Sequence, residues 1–144
     1  MKTTVIAGLL GFCAITQFSG HAEPPKPQVE YNEVVELGWQ CPDCTPEEKY
    51  VLKELQEQTR ISDKNALATI LGNIKQESKF IANICEGGAR VPYDQCYTGG
   101  YGIIQWTSLG RYNNLGKFAS KYGCSPSEFK CQVRYMINES VFQR

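Results

Sequence analysis

Apolar residues recur every three or four positions from residue 46 onward, with one long interruption, and that spacing predicts four helices. Thr45-Pro46-Glu47-Glu48 has the form of a capping box with proline at the first helical position. It opens a helix over residues 46–59 whose inward positions are Val51, Leu52 and Leu55. Ser62 is placed to cap a second helix over 63–78. Ala66, Ile70 and Ile74 form its stripe, with Leu67 and Leu71 beside them. Glu77 follows Ile70 by seven residues and Ile74 by three, so at about 100° per residue it falls close to that stripe. Residues 79–106 hold five glycines, a proline and two cysteines, and read as a long loop with room for a short hairpin. A third helix spans 109–122, with Leu109, Tyr112, Leu115, Phe118, Ala119 and Tyr122 at helical spacing and Gly123 ending it. Ser125-Pro126-Ser127-Glu128 is a second capping-box pattern. It opens a fourth helix to about residue 141, with Phe129, Val133, Met136 and Ile137 inward. The fold class is therefore mainly α, a small helical domain over 45–144.

The first 44 residues carry a different pattern. Lys2, the apolar run from Val5 to Ile15 and Gly20-His21-Ala22 have the order of a secretory leader over 1–22, with Glu23 as the mature start. A retained anchor or an unprocessed segment are the alternatives, but the apolar run is short for a bilayer, and stable membrane insertion is not expected. Glu23-Pro24-Pro25-Lys26-Pro27 reads as a stiff linker, and residues 28–44 as an acidic segment ending in a cysteine pair. Loss of the leader removes Cys13 and leaves Cys41, Cys44, Cys85, Cys96, Cys124 and Cys131. An even count behind a leader points to disulfides and an oxidising location, periplasmic or extracellular. Six cysteines permit 15 pairings, of which the preferred one is local: Cys41–Cys44, Cys85–Cys96 and Cys124–Cys131. Cys41-Pro42-Asp43-Cys44 also has the spacing of a redox motif, but no strand–helix alternation surrounds it.

Composition narrows the chemistry further. His21 is the sole histidine and lies in the leader, which removes histidine-assisted nucleophiles and histidine-ligated zinc. No metal and no organic cofactor are expected, and carboxylate chemistry remains. Residues 23–63 carry ten acids and four bases (net −6), and residues 64–144 five acids and ten bases (net +5). A basic half bearing Glu77 suits an anionic polymer, and ordinary surface charge is the plainer reading. The bases are scattered, so nucleic acid is not a predicted partner.

Glu77 is the candidate general acid. A glycosidic oxygen leaves readily only when protonated as the bond breaks, which calls for a carboxyl whose pKa is raised. Proximity to Ile70 and Ile74 and to the negative end of the helix both act in that direction. Downstream, Gly99, Gly100 and Gly102 permit close backbone approach. Gln105 offers a donor and an acceptor to sugar hydroxyls, and Tyr101 and Trp106 offer flat faces to sugar rings. Ser78 joins this set chiefly as a support for the helix end. A second carboxylate is sought at Asp94 or Glu86, with Asp94 as nucleophile or base and a turn as its plainer role.

Together these residues resemble the phage tail lysozyme domain of the lysozyme-like superfamily. Residues 66–80, with Gly72-Asn73-Ile74, two residues and then Glu77-Ser78, look like the opening helix of that domain. Gly100-Tyr101-Gly102-Ile103-Ile104-Gln105-Trp106-Thr107 resembles its second motif, and Arg111 fits the arginine that commonly follows. Gln132 to Glu139 follows a later helix pattern more loosely. The resemblance spans roughly residues 60–140. It implies a lysozyme-like helical fold, bacterial peptidoglycan as substrate and Glu77 as the catalytic acid. Hydrolysis and transglycosylation, in which an anhydro ring closes, remain open. So do a non-catalytic wall-binding role and a structural role among phage virion proteins.

Overall fold

The computed structural model describes residues 38–144, which contain four α-helices and no named strand. The leader and the proline-rich linker lie outside the described residues. Helices α1 (Pro46–Gln58) and α2 (Lys64–Ser78) precede the long loop, and α3 (Leu109–Tyr122) and α4 (Phe129–Asn138) follow it. Helix α1 packs on α2 and α4, and α3 packs on α4. Their shared core is built from Val51 and Leu55 of α1, Leu67 and Ile74 of α2, Leu115 of α3, and Val133 and Met136 of α4. No helix among the described residues is long and apolar enough to cross a membrane.

The helix ends show which local signals act. At α1 both halves of the capping box form: Glu48 N–H donates to Thr45 Oγ1 at 3.3 Å, and Thr45 N–H to Glu48 Oε2 at 2.8 Å. The other Glu48 oxygen accepts from Lys75 Nζ of α2 at 2.9 Å, so the cap also joins two helices. Helix α2 is capped by Asp63 and not by Ser62, because Asp63 Oδ1 reaches the Ala66 N–H at 2.8 Å and the helix begins one residue later. Ser108 caps α3, and Gly123, at φ 65°, closes it as its sequence position predicts.

The second capping-box pattern does not form. Ser125 uses its carbonyl to accept from Glu128 N–H, while its hydroxyl takes the Ser127 N–H at 3.2 Å. Ser127 Oγ is itself engaged by the Tyr93 N–H and the Tyr101 hydroxyl, so residues 125–128 are a turn held to the long loop. Helix α4 starts at Phe129 without a side-chain cap. It stops at Asn138, where Glu139 turns away into contacts with Arg111 and Trp106.

The long loop is cross-braced. Single antiparallel bridges link Ile84 to Arg90, Cys85 to Tyr101 and Tyr101 to Trp106, with one 3-10 turn at Tyr93–Gln95. Cys85–Cys96 closes it, and Cys41–Cys44 and Cys124–Cys131 also form, which completes the local pairing scheme. Three disulfides fit a protein that works in an oxidising compartment.

Candidate functional site: a groove between α2 and the glycine-rich segment

Helix α2 carries two neighbouring ridges. Leu67, Ile74 and Ser78 are the buried ridge, at spacings of seven and four residues. Ile70, Asn73 and Glu77, at spacings of three and four, form the next ridge around the helix and line an open groove. Glu77 is consequently exposed and not held in the apolar stripe. The burial expected from its spacing to Ile74 is absent, because the stripe is centred one ridge away from Ile70.

The groove encloses about 550 Å³, within the range of small-ligand sites. Ile70, Ile74, Ile104 and Phe142 supply its apolar surface. Asn73, Glu77, Gln105, Thr107 and Arg111 supply its polar groups, and Glu77 is the carboxylate among the lining residues. Asn73 and Thr107 were not singled out from the sequence. Asn73 stands one turn before Glu77, at the i, i+4 spacing that could have drawn attention to it.

The opposite wall is the segment after Gly99. Tyr101 and Trp106 sit in the core at 0 % exposure, so neither presents a ring face to a sugar. Tyr101 donates its hydroxyl to the Val91 carbonyl at 3.0 Å, and its hydroxyl oxygen pairs with the Ser127 hydroxyl at 2.9 Å. Trp106 packs on Tyr135 and donates Nε1 to Glu139 Oε2 at 3.2 Å. Both fix the wall from behind. Burial pushes the Tyr101 hydroxyl above its ordinary pKa, and it pushes that of Tyr112 up to about 12, aided by its neighbours Tyr93 and Tyr101. Tyr93 and Tyr112 stack at 4.2 Å, and each donates its hydroxyl to the other's carbonyl.

Gln132 is the hub of this wall, and sequence reasoning placed it only within a loosely matching helix. Fully buried, it accepts from Ile103 N–H at 2.9 Å and donates to the Ala82 and Pro126 carbonyls at 2.8 and 2.7 Å. Gly102 makes this approach possible: its φ is 80°, and a Cβ there would stand 2.5 Å from Gln132 Oε1. Ser78 joins the two walls. Its hydroxyl donates to the Ile103 carbonyl at 2.7 Å, with the Ile74 carbonyl 3.1 Å away, and accepts from Phe80 N–H. Ser78 therefore holds Glu77's helix end against the glycine-rich segment and has no exposed surface to offer a substrate.

Gln105 lines the groove with its amide nitrogen tied to the Gly102 and Ile84 carbonyls, at 3.0 and 3.3 Å. Its backbone is left-handed at φ 49°. The other two non-glycine residues of this kind among those described, Lys79 and Phe80, directly follow Glu77-Ser78. Such positions cost about 1–3 kcal/mol each and persist where surrounding contacts over-determine them, commonly at functional sites. Arg111 completes the rim. Its Nε and one Nη reach Glu139 at 2.8 and 2.7 Å, a two-pronged bond that holds the guanidinium above its ordinary pKa.

Asp94 is not among the lining residues. It is exposed in the Tyr93–Gln95 turn, on the side of the tyrosine cluster. Glu86 is closer. Its Oε2 accepts from Gly100 N–H at 2.9 Å, packed so tightly that a Cβ on Gly99 would lie 1.2 Å from it. On its other face Gly100 touches Gln105 and Thr107.

Neither a curated protein nor a solved structure matches the chain. The model of the phage tail lysozyme family matches residues 47–141, a span that takes in all four helices but for Pro46, and both the α2 and glycine-rich walls, and the chain belongs to that family.

Proposed function

We propose that this protein cleaves the glycan backbone of bacterial peptidoglycan between N-acetylmuramic acid and N-acetylglucosamine, with Glu77 as the general acid. The observation that carries the reading is the placing of Glu77 in the same groove as Gln105, between two walls locked together by Ser78. A glycosidase acid must stand within hydrogen-bond reach of the bridging oxygen while other groups fix the sugars. Asn73, Gln105 and Thr107 supply those polar contacts, and the isoleucines and Phe142 supply apolar surface for ring and methyl faces. Membership of a phage tail lysozyme family supports a cell-wall substrate. Export through the 1–22 leader and delivery with a virion belong to the same proposal. Asp94 has no part in it.

A lytic transglycosylase is the second reading, and one observation favours it. Among the described residues Glu77 is the single carboxylate lining the groove, and an acid that returns as base to close an anhydro ring needs no other. The test is mass spectrometry of purified peptidoglycan incubated with oxidised residues 23–144, beside the Glu77→Gln variant. New reducing ends that vanish in the variant establish hydrolysis, and anhydro products establish transglycosylation. Absence of either from a folded, disulfide-bonded sample sinks the enzymatic reading.

A further inference from the structure

We propose that Arg111 makes the groove select glycans that carry a carboxylate, by offering the unspent edge of its guanidinium to an acidic group on the muramic acid side of the substrate. This rests on the glycosidase reading and names what separates its substrate from a neutral glycan. Arg111 is the one cation among the described residues that line the groove, and Glu77 is the one carboxylate. The two are not paired with each other, since the ion pair of Arg111 is with Glu139. A guanidinium is flat and has two edges, each able to grip a carboxylate through two parallel N–H bonds. Glu139 takes the edge made of Nε and one Nη, at 2.8 and 2.7 Å. The edge made by the two Nη groups has no partner of this kind among the described residues.

The direction of that edge follows from what lies behind it. The Glu139 side chain is 11 % exposed and does not line the groove, and its Oε2 also takes Trp106 Nε1 at 3.2 Å. The Arg111 side chain is 46 % exposed and does line it. The edge on Glu139 therefore faces the protein, and the other edge faces the groove. Arg111 is also held before any ligand arrives. Its N–H donates to Ser108 Oγ at 3.2 Å, and its carbonyl accepts from the Tyr135 hydroxyl at 3.1 Å. Little freedom is left to lose on binding. Glu139 is thus a positioning residue that fixes the guanidinium and offsets part of its charge. What remains on the groove side is a directional pair of donors, which suits one acidic group better than a diffuse polyanion. A glycan of N-acetylglucosamine alone has no such group. The lactyl ether of N-acetylmuramic acid ends in a carboxylate when the glycan is peptide-free, and a peptide-bearing glycan carries carboxylates on its stem instead.

The experiment uses the oxidised full mature chain carrying Glu77→Gln, so that glycan stays intact. Calorimetric Kd is measured for three glycans of equal length: N-acetylglucosamine alone, peptide-free peptidoglycan glycan and peptide-bearing glycan. An acidic glycan is expected to bind about tenfold more tightly than the neutral one. A gain already present in the peptide-free glycan assigns the lactyl carboxylate, and a gain confined to the peptide-bearing glycan assigns the stem. Adding Arg111→Gln should erase the preference and leave affinity for the neutral glycan within about twofold. Arg111→Lys keeps the charge without the two-pronged edge and should lose most of the preference as well. The neutral glycan is the internal control, because a variant that fails to fold loses it too. Absence of the preference from the parent, or its survival in either variant, overturns the assignment while leaving the Glu77 reading intact. So does an equal fall for all three glycans in variants that still melt cooperatively. If no glycan binds and the wild-type chain cuts no peptidoglycan, the assignment and the glycosidase reading fall together.

Discussion

The two walls of the groove are built on opposite plans. On the α2 wall the proposed general acid is outside: Glu77 is exposed, and its neighbours Asn73 and Ile70 line open space. On the glycine-rich wall nearly everything distinctive faces inward. Tyr101, Ile103 and Trp106 are fully buried, and only Ile104, Gln105 and Thr107 reach the groove. One wall presents a carboxylate on a regular helix. The other is irregular backbone, and irregular backbone holds its shape only when its hydrogen bonds are satisfied from outside. Gln132, Ser78, Ser127 and Glu139 do this, from positions far along the chain. The aromatic residues of the second motif therefore support the site without touching what it binds.

This contrast can be broken most severely at Gln132. Gln132→Ala leaves the Ile103 N–H and two carbonyls without their partners and opens a cavity. It is expected to lower unfolding free energy by about 3–5 kcal/mol in urea titration, with loss of any glycan cleavage. Next comes Gly102→Ala, which combines a positive φ with a clash on Gln132, for a loss of about 2–4 kcal/mol. Gly72→Ala is its control: nothing lies within 4 Å of the added methyl in α2, so it should stabilise by about 1 kcal/mol. If both alanines behaved alike, the glycine-rich wall would not be the over-determined element described above.

Removing Cys85–Cys96 by paired serines should cost about 2–3 kcal/mol from loop entropy and reduce activity, since that bond braces the wall. Removing Cys41–Cys44, whose loop is shorter, should cost less and leave activity alone. The smallest effect is expected on the α1–α2 side. The Thr45 N–H and Lys75 hold the Glu48 carboxyl below its ordinary pKa of 4.5. A depressed pKa contributes stability that is complete above about pH 4.5 and is lost as pH falls through the folded value. Glu48→Gln should remove about 1 kcal/mol at pH 7 and flatten the acid limb of the stability–pH curve below 4.5. An unchanged limb would mean another carboxylate dominates acid unfolding. Glu77→Gln belongs to the opposite class, with activity lost and the unfolding midpoint unmoved.

Local signals were readable because they act over a few residues. The Thr45 box and the Gly123 stop were written in neighbouring side chains, and so was the preferred, local pairing of cysteines 3, 11 and 7 positions apart. Where a local signal failed, a distant contact overruled it. Ser125 to Glu128 has the letters of a cap, yet Ser127 is claimed by Tyr93 and Tyr101, 34 and 26 residues away. The same applies to Tyr101 and Trp106. Aromatic residues among glycines fit a sugar platform and a buried brace equally well, and only packing separates the two.

The sequence by itself determined the four helices, the family and the two segments that form the groove, because helical period and capping are local properties. Six cysteines left a preferred pairing among several, and the tertiary structure selected it. Tertiary structure decided which ridge of α2 is buried, and so that Glu77 stands in the open beside Asn73 and not under Ile74. It also decided that Gln132 and Glu139, 29 and 33 residues from the groups they hold, lock the opposing wall. A rotation of one ridge about a helix axis leaves the apolar period almost unchanged, while the partner that selects the ridge is encoded elsewhere in the chain.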